Sequence, residues 1–354
     1  ADDVTVFTRN TTDALNLLAA CVPGPVLRLD VEHHATLLAW RSGRVLPAAD
    51  TLAETVDRLA GALAAERFAL VAVTGASNVT GEVLPLRRIA DLAHAAGARV
   101  VVDAAQLAPH RRVDLAATGV DYLALSGHKL YAPYGAGALV GRRDWLDAAP
   151  PHLAGGGAVI TVAASAGATG TTWAPAPHRH EAGTPNVLGV AALAQACRVL
   201  DAVVDAAAPA HERVLLDRLT GGLGELDRVR RLRIWPDAPD RVAVVSFVVD
   251  DVPAGLVAAY LSAEHGIAVR DGRFCAHPLV DRLAGPEGAV RASLGLGSAA
   301  ADVDRLVDAL HDLVERGLRW TYAVVDGRWC PTPDPRDLDP FAIGCCIGRP
   351  IYFV

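Results

Sequence analysis

The segment Asp121–Lys129 (DYLALSGHK) carries residues that can do chemistry if the fold places them correctly. Within it, Tyr122–Leu125 is a short apolar run between polar residues, which predicts a buried strand. The run delivers Ser126, His128 and Lys129 at its carboxyl end, and ligands of open α/β sheets bind at that edge. A lysine in apolar surroundings there can lose its proton and attack a carbonyl group, as Schiff-base lysines do. A solvated surface lysine is the alternative.

A second apolar run, Arg99–Asp103, ends in a carboxylate, and Gln106 follows in the next turn. An aspartate directly after buried valines is costly unless it meets a cation. The protonated ring nitrogen of a ligand would be such a cation. The alternative is an aspartate that caps the next turn.

Other polar residues also follow predicted strands. Thr11 and Thr12 begin the first helix, where hydroxyl groups, free N–H groups and the helix dipole form an anion site, unless they only cap the helix. His33 belongs to Glu32–His34, and because adjacent histidines point in different directions the pair is a poor metal site. A buried, hydrogen-bonded histidine is the alternative there. Asn78 stands in an Asn-x-x-Gly segment, which is also ordinary turn chemistry.

Strand-like and helix-like segments alternate over about 140 residues, which favours a mostly parallel sheet covered by helices. The predicted strands are Val4–Phe7, Val26–Leu29, Phe68–Thr74, Arg99–Asp103, Asp121–Leu125 and Gly135–Gly141, and the predicted helices are Thr12–Ala20, Leu52–Ala65 and Leu86–Ala96. In the second half, the predicted strands are Val242–Val249, Ile267–Arg270 and Val290–Leu294, with helices at Gly255–Glu264 and Ala300–Arg316.

The order and spacing of these motifs resemble those of the class V aminotransferases, in the branch of cysteine desulfurases and selenocysteine lyases. The matching motifs are Thr11-Thr12, Glu32-His33-His34, Asn78, Asp103-x-x-Gln106 and Ser126-Gly127-His128-Lys129. The resemblance implies the type I fold of pyridoxal 5′-phosphate (PLP) enzymes, an α/β class with a large domain and a smaller α+β domain. We place the large domain at residues 1–195, the small domain at 196–319 and a tail of unknown role at 320–354.

The resemblance also implies a role for each motif. Lys129 would carry PLP, Asp103 would keep the ring nitrogen protonated, and His33 would stack on the ring. Thr12 would hold the phosphate group with Thr11 as a neighbour. The remaining implied cofactor contacts are Asn78 and Gln106 beside the phenolic oxygen, together with Ser126 and His128.

Further along the chain, the segment His180–Asn186 (HEAGTPN) continues the resemblance. In the family this segment reaches across a dimer interface, and its threonine touches the phosphate of the partner's cofactor. Thr184 would take that role here. A homodimer with shared active sites is therefore implied.

The segment Gly266–Pro278 (GIAVRDGRFCAHP) bears on the substrate. Cys275 follows Arg270 at the spacing of the catalytic cysteine of the desulfurases, and cations at Arg270 and Arg273 would favour a thiolate there. An inert cysteine is the alternative. Arg291 matches the arginine that binds the substrate carboxylate, for which a planar guanidinium is well suited. Arg270 is a second candidate.

The resulting hypothesis is a PLP enzyme that acts on cysteine or a related amino acid, leaves a persulfide on Cys275 and releases alanine. A sulfur-acceptor protein is a possible partner. Arg273-Phe274 replaces the His-His that usually precedes this cysteine. An alternative is therefore a transaminase, an epimerase or a C–S lyase in which Cys275 is not a nucleophile. A catalytically silent relative that acts in binding or sulfur relay is a second alternative, which the intact Lys129, Asp103 and His33 disfavour.

The composition sets further limits. A net charge of −7 gives no basic surface for nucleic acid, and no charge-free run of membrane-spanning length is visible. Six cysteines without a C-x-x-C pair or a metal spacing indicate a reducing, cytoplasmic setting and no metal site. The chain opens on Ala1 and contains no methionine, which predicts that an N-terminal segment of the family is missing.

Overall fold

A seven-stranded sheet forms the centre of the computed structural model, which describes residues 2–165, 168–204 and 207–337. Its strands are β1 (Asp3–Thr8), β2 (Val26–Leu29), β3 (Gly43–Leu46), β4 (Leu70–Thr74), β5 (Arg99–Asp103), β6 (Tyr122–Ser126) and β7 (Gly137–Arg142). In the order β1-β7-β6-β5-β4-β2-β3, β7 runs antiparallel to both neighbours and the other pairs are parallel. The predicted mostly parallel sheet is confirmed.

Helices cover both faces of this sheet. They are α1 (Thr11–Cys21), α2 (His34–Leu38), α3 (Leu52–Ala65), α4 (Leu86–Ala95), α5 (Leu115–Thr118) and α6 (Arg143–Ala148). Every residue of β4 is buried, and alternate residues enter different cores. Val71 and Val73 pack with α3 and α4, whereas Leu70 and Ala72 pack with α1. A strand covered on both faces is a continuous apolar run, which is why β4 and β5 are recognisable in the sequence.

A second, antiparallel sheet follows the long helices α7 (Val187–Val204) and α8 (Ala208–Gly224). Its strands are β10 (Val229–Arg231), β11 (Val244–Val249), β12 (Arg270–Gly272) and β13 (Ala289–Ser293), in the order β10-β11-β13-β12. The same part of the chain contains three further helices, α9 (Ala254–His265), α10 (His277–Ala284) and α11 (Ala300–Arg316).

The prediction of a strand at Ile267–Arg270 is shifted relative to β12. Helix α9 ends at Gly266 in the left-handed region (φ 64), and the Ile267 N–H donates to the Leu261 carbonyl of the same helix. Ile267 and Val269 therefore pack on the core as part of a helix cap and connection. Their apolar character reflects this packing, and strand pairing begins only at Arg270.

Two hairpins complete the part of the chain that the structure describes. The first pairs β8 (Val159–Ser165) with β9 (Ala168–Trp173), and the second pairs β14 (Tyr322–Val325) with β15 (Arg328–Pro331) within the predicted tail. The carboxylate of Glu264 on α9 accepts hydrogen bonds from the Trp320 N–H and the Tyr322 hydroxyl. The start of the tail is thus attached to the small domain, while Cys345 and Cys346 lie outside the described residues.

Within the described residues, no single helix has the length and apolar character that a membrane crossing needs. Helices α7 and α8 reach that threshold only when taken together, and the chain bends by 80° between them.

The two sheets share packing at their junction. Ile234, Trp235 and Phe274, which follow the predicted boundary at residue 195, belong to the same core as β4 and β5. Glu82, after β4, is fully buried and accepts from Arg233 Nε (3.1 Å) and from the Ile234 N–H (3.0 Å). The junction is therefore both apolar and charged, and the domain limits stay a prediction.

We expect Glu82→Ala to lower the free energy of unfolding by about 3–5 kcal/mol, because it leaves buried donors without their acceptor. Urea denaturation followed by circular dichroism measures this. Glu54→Ala is the matched control, since Glu54 pairs with Arg58 at the surface and such pairs contribute little. Equal losses in the two variants would contradict the assigned role of Glu82.

Candidate active site

Lys129 lies in a single 3₁₀ turn, Gly127–Leu130, that begins where β6 ends. The turn closes when the Tyr131 N–H donates to the Gly127 carbonyl, with Tyr131 in the left-handed region (φ 65). A Cβ atom on Gly127 would lie 2.7 Å from the Ala136 carbonyl oxygen, so only glycine fits between the turn and β7. The Ser-Gly-His-Lys pattern therefore fixes the backbone that presents the lysine.

The electrostatic environment of Lys129 favours the neutral amine. Burial lowers the pKa of Lys129 from its usual value, and Arg291 and Arg270 act in the same direction. Asp103 and Cys275 lie close enough to raise that pKa in part. A neutral amine is the form that attacks a carbonyl carbon or accepts a proton. Lys129 is also the only lysine of the chain, so every lysine-directed reagent reports on this site.

Asp103 ends β5 with its side chain 2% exposed. Its Oδ2 accepts from the Thr36 hydroxyl (3.0 Å) and its Oδ1 accepts from the Ala105 N–H (3.0 Å). Among the described residues it has no ion pair with a cationic side chain. A buried carboxylate oriented by neutral donors fits a ligand that brings its own positive charge, such as a protonated pyridine nitrogen.

His33 caps the start of α2, where its Nδ1 accepts from the Ala35 N–H (3.1 Å). The ring proton of the neutral form therefore lies on Nε2. Burial lowers the pKa of His33, with Lys129 acting in the same direction and Asp103 opposing. A neutral ring suits stacking on an aromatic ligand, and that role stays a prediction.

Glu32 and Thr36 were not predicted as site residues. Glu32 is 1% exposed, and its Oε2 accepts from the N–H and the hydroxyl of Thr74 (2.6 and 2.5 Å). Burial raises the pKa of Glu32 to about 8, and its Oε1 has no partner within the described residues. Both could have been recognised as site residues from the sequence, because they lie close to His33 in a segment that directly follows a buried strand.

The predicted anion site lies at the start of α1. Asn10 caps the helix by accepting from the Asp13 N–H (3.0 Å). Thr11 is buried, and its N–H and hydroxyl both contact the Ser126 hydroxyl (2.8 and 2.7 Å), which ties α1 to the end of β6. Thr12 is exposed at this helix start, and its predicted contact with a phosphate group stays a prediction.

Two residues that were predicted to contact the cofactor, Asn78 and Gln106, form hydrogen bonds with other residues of the protein. Asn78 is buried, and its amide donates to the Phe274 carbonyl (2.7 Å). Gln106 follows Asp103, and its amide nitrogen lies 3.3 Å from His110 Nε2. Their contacts with the phenolic oxygen of a cofactor stay predictions. The exposed His128 stacks on Tyr134, with ring centroids 5.2 Å apart.

The loop that carries Cys275 is anchored to the large domain. The Cys275 carbonyl accepts from the His34 N–H (2.8 Å), and His34 Nε2 accepts from the His277 N–H (3.2 Å). Phe274 and Cys275 have positive φ values (51 and 55), which non-glycine residues rarely adopt. Consecutive strained residues of this kind are typical of functional sites. The Cys275 side chain is exposed.

The expectation that Arg273 supplies positive charge beside the thiol is not supported. Arg273 Nε lies 3.0 Å from Asp281 Oδ1 and the side chain also donates to the Pro286 carbonyl, so it braces the loop. A negative charge on Cys275 raises the pKa of Lys129 and the pKa of Arg291. These two side chains are therefore the cations that interact with the thiol.

Arg291 on β13 lies directly opposite Arg270 on β12. Arg291 Nη1 donates to the Asn78 carbonyl (2.8 Å), and its guanidinium carbon lies 5.2 Å from the centre of the Phe274 ring. Burial, aided by Arg270, lowers the pKa of Arg291 to about 10. Within the described residues its Nε is buried without a partner. This fixed, undersatisfied guanidinium is suited to a carboxylate.

Thr184 lies in an exposed stretch, Gly183–Leu188, where Val187 is 64% and Leu188 is 84% exposed. Within the described residues, no hydrogen bond or ion pair joins Thr184 to the residues described above, and its role across a dimer interface stays a prediction. Large apolar side chains exposed side by side are typical of interaction surfaces.

The fold and the site together define a class of protein. A mostly parallel sheet with a lysine at the end of β6, a buried aspartate at the end of β5 and a smaller α+β unit is the type I fold of PLP enzymes. A family model described as aminotransferase class V matches residues 1–306. The chain belongs to this family.

Relatives of known name are similar over most of the chain. The cysteine desulfurase of Dickeya dadantii is 40% identical over 326 residues, which cover 88% of this chain and 76% of that protein. A probable cysteine desulfurase of Mycobacterium leprae is 40% identical over 325 residues, covering 87% and 76% of the respective chains.

Solved structures show the same similarity. A cysteine desulfurase of Escherichia coli superimposes with a TM-score of 0.78 at 33% identity, over 88% of this chain and 79% of that chain. The apo cysteine desulfurase of Thermococcus onnurineus gives a TM-score of 0.79 at 31% identity, with the same coverage. The predicted fold and family are confirmed.

We expect the apparent pKa of the Lys129 amine, measured by competitive labelling with acetic anhydride, to lie below the ordinary value of 10.5. A peptide that spans Ser126–Ala132 is the control, because it contains the same single lysine without the burial. Asp103→Asn should lower the pKa further, since it removes a charge that raises it. A protein titration that coincides with that of the peptide would contradict the assigned environment.

Proposed function

We propose that the protein is a PLP-dependent cysteine desulfurase, which removes sulfur from cysteine, leaves a persulfide on Cys275 and releases alanine. The observation that carries the proposal is that the segments with Cys275 and Arg291 bond to the site residues of the first half of the chain. The His34 N–H donates to the Cys275 carbonyl (2.8 Å) and Arg291 Nη1 donates to the Asn78 carbonyl (2.8 Å). Asp103, Cys275 and Arg291 also lie close enough to Lys129 to shift its pKa. The names of the relatives and neighbours support the same activity. One neighbouring structure, at 26% identity, is described as having glycine covalently linked to its PLP cofactor.

The residues present fit that cofactor. Lys129 offers an amine of lowered pKa, Asp103 offers a buried carboxylate for the ring nitrogen, and Thr12 offers a hydroxyl at a helix start for the phosphate. When bound, PLP supplies an electron sink for bond breaking at the amino-acid substrate.

The protein side chains would supply binding, proton transfer and the nucleophile. Arg291 would hold the substrate carboxylate through its planar guanidinium, whose Nη1 already donates to the Asn78 carbonyl. Lys129 would accept the substrate α-proton, for which a neutral amine is required. The Cys275 thiolate would attack the substrate sulfur. The new S–S bond forms as the substrate C–S bond breaks, and the electron pair that stays on the substrate carbon takes a proton to give alanine.

The exposed position of Cys275 supports delivery of the sulfur to an acceptor protein, because a persulfide there is open to an incoming thiol. A reducing, cytoplasmic compartment suits this chemistry, since Cys275 has to remain a free thiol.

The alternative keeps PLP and changes the reaction to that of a transaminase, an epimerase or a C–S lyase. The observation that favours it is the buried Phe274, which packs beside Arg291 where the desulfurases usually have a histidine. In this alternative Cys275 would not act as a nucleophile.

We expect Cys275→Ala to abolish the release of alanine and sulfide from cysteine, because no thiolate remains to accept the sulfur. Cys197→Ala, which removes another exposed cysteine, is the matched control and should retain activity. Chromatographic analysis of products separates the alternatives, since a transaminase gives a keto acid and a β-lyase gives pyruvate and ammonia. Full turnover to alanine in Cys275→Ala would exclude the proposed role of Cys275.

A shared active site predicts complementation between two inactive variants. Lys129→Ala lacks the amine, and Thr184→Asp would repel the phosphate of the neighbouring site. If the two chains exchange freely, half of the dimers are mixed and each contains one intact site, which gives about a quarter of wild-type activity. Activity after co-refolding, compared with either variant alone, measures this. A mixture no more active than the separate variants would rule out a shared site.

A further inference from the structure

A chain of three polar side chains connects the predicted cofactor site to the small domain. Gln106 Nε2 lies 3.3 Å from His110 Nε2, and His110 Nδ1 lies 2.6 Å from Glu212 Oε2. Gln106 follows the strand that ends in Asp103, whereas Glu212 lies on α8. The side chains of His110 and Glu212 are 8% and 13% exposed, so water competes little for these bonds.

For a neutral His110 ring, the donors and acceptors along this chain have one consistent arrangement. The Glu212 carboxylate only accepts, so the ring proton lies on Nδ1, which faces it. His110 Nε2 is then an acceptor, and the NH₂ end of the Gln106 amide, which only donates, faces it. The carboxylate thereby selects the tautomer of His110, and the tautomer selects which end of the Gln106 amide faces the ring.

Glu212 is itself held in place. Its second oxygen, Oε1, accepts from Arg111 Nη1 (3.0 Å). Arg111 Nη2 donates to Asp240 Oδ1 (3.2 Å) and to the Arg241 carbonyl (3.0 Å). Both Glu212 oxygens are therefore engaged, and the carboxylate cannot rotate away from His110 without breaking an ion pair between the domains.

The lysine turn has a separate link to the same junction. The Tyr131 hydroxyl, two residues after Lys129, accepts from the Leu296 N–H (3.0 Å), and Tyr131 lines the same cleft as His110 and Glu212. The small domain thus contacts the surroundings of both Lys129 and Gln106.

We propose that His110, fixed by Glu212, is a positioning residue that orients the Gln106 amide toward the cofactor. His110 occupies one N–H of that amide and leaves its second N–H for the phenolic oxygen of PLP. The inference rests on the proposed use of PLP and adds a dependence of the cofactor contact on α8 of the small domain.

The test is a titration of the apoprotein with PLP, followed by absorbance, in a double-mutant cycle of His110→Phe and Gln106→Ala. Loss of one oriented hydrogen bond should weaken binding about tenfold in His110→Phe. The same substitution should have no further effect in the Gln106→Ala background, because its target is gone.

Two controls separate positioning from folding. His110→Gln should retain most of the affinity, because a glutamine amide also offers an acceptor and a donor. Asp201→Asn removes a surface ion pair with Arg112, outside this network, and should bind PLP like the wild type. Thermal denaturation of each apoprotein identifies any variant that is destabilised.

Additive losses in the double variant, or equal losses in His110→Phe and His110→Gln, would overturn the inference while leaving the proposed function intact. A wild-type protein that fails to bind PLP would overturn both.

Discussion

The placement of a half-buried Lys129 and a buried Asp103 at one edge of the central sheet is the constraint on which the rest of the structure depends. An amine and a carboxylate taken out of water are each costly, and neither is relieved here by a direct ion pair among the described residues. Thr36 and a backbone N–H fix the carboxylate, whereas burial and two arginines lower the pKa of the amine. The surroundings of Lys129 therefore act toward the neutral amine, which is the form that attacks a carbonyl carbon.

The small domain completes this arrangement from the opposite side. It contributes Arg291 and the Cys275 loop, and both are attached to large-domain residues that the sequence had marked for the cofactor. The Asn78 amide donates to the Phe274 carbonyl of the loop, and the Asn78 carbonyl accepts from the Arg291 guanidinium. The His34 N–H donates to the Cys275 carbonyl. One set of polar contacts therefore positions both the predicted substrate-binding groups and the predicted cofactor-binding groups. A structural change in one domain would alter the positions of site residues in the other.

Much of this could be predicted from the sequence, because the strands β4, β5 and β6 are buried apolar runs that end in polar residues. That pattern places Lys129 and Asp103 at strand ends, whereas their expected roles came from the resemblance to the family. Contacts between distant segments could not be predicted. The pairing of Arg273 with Asp281, the role of Thr36 and the link from Gln106 to Glu212 depend on tertiary placement, which spacing along the chain does not encode. The strand at Ile267–Arg270 was placed too early because a helix cap and a strand both use apolar residues.

The most direct test of the central claim uses the single lysine of the chain. The apoprotein is incubated with PLP, reduced with borohydride, digested and analysed by mass spectrometry, beside Lys129→Ala. The account predicts one stable cofactor adduct per chain, on the peptide that contains Lys129, and none on that segment in the variant. An unmodified Lys129 peptide, or an adduct only at the terminal amine, would contradict the assignment of this site as the place where the cofactor is held.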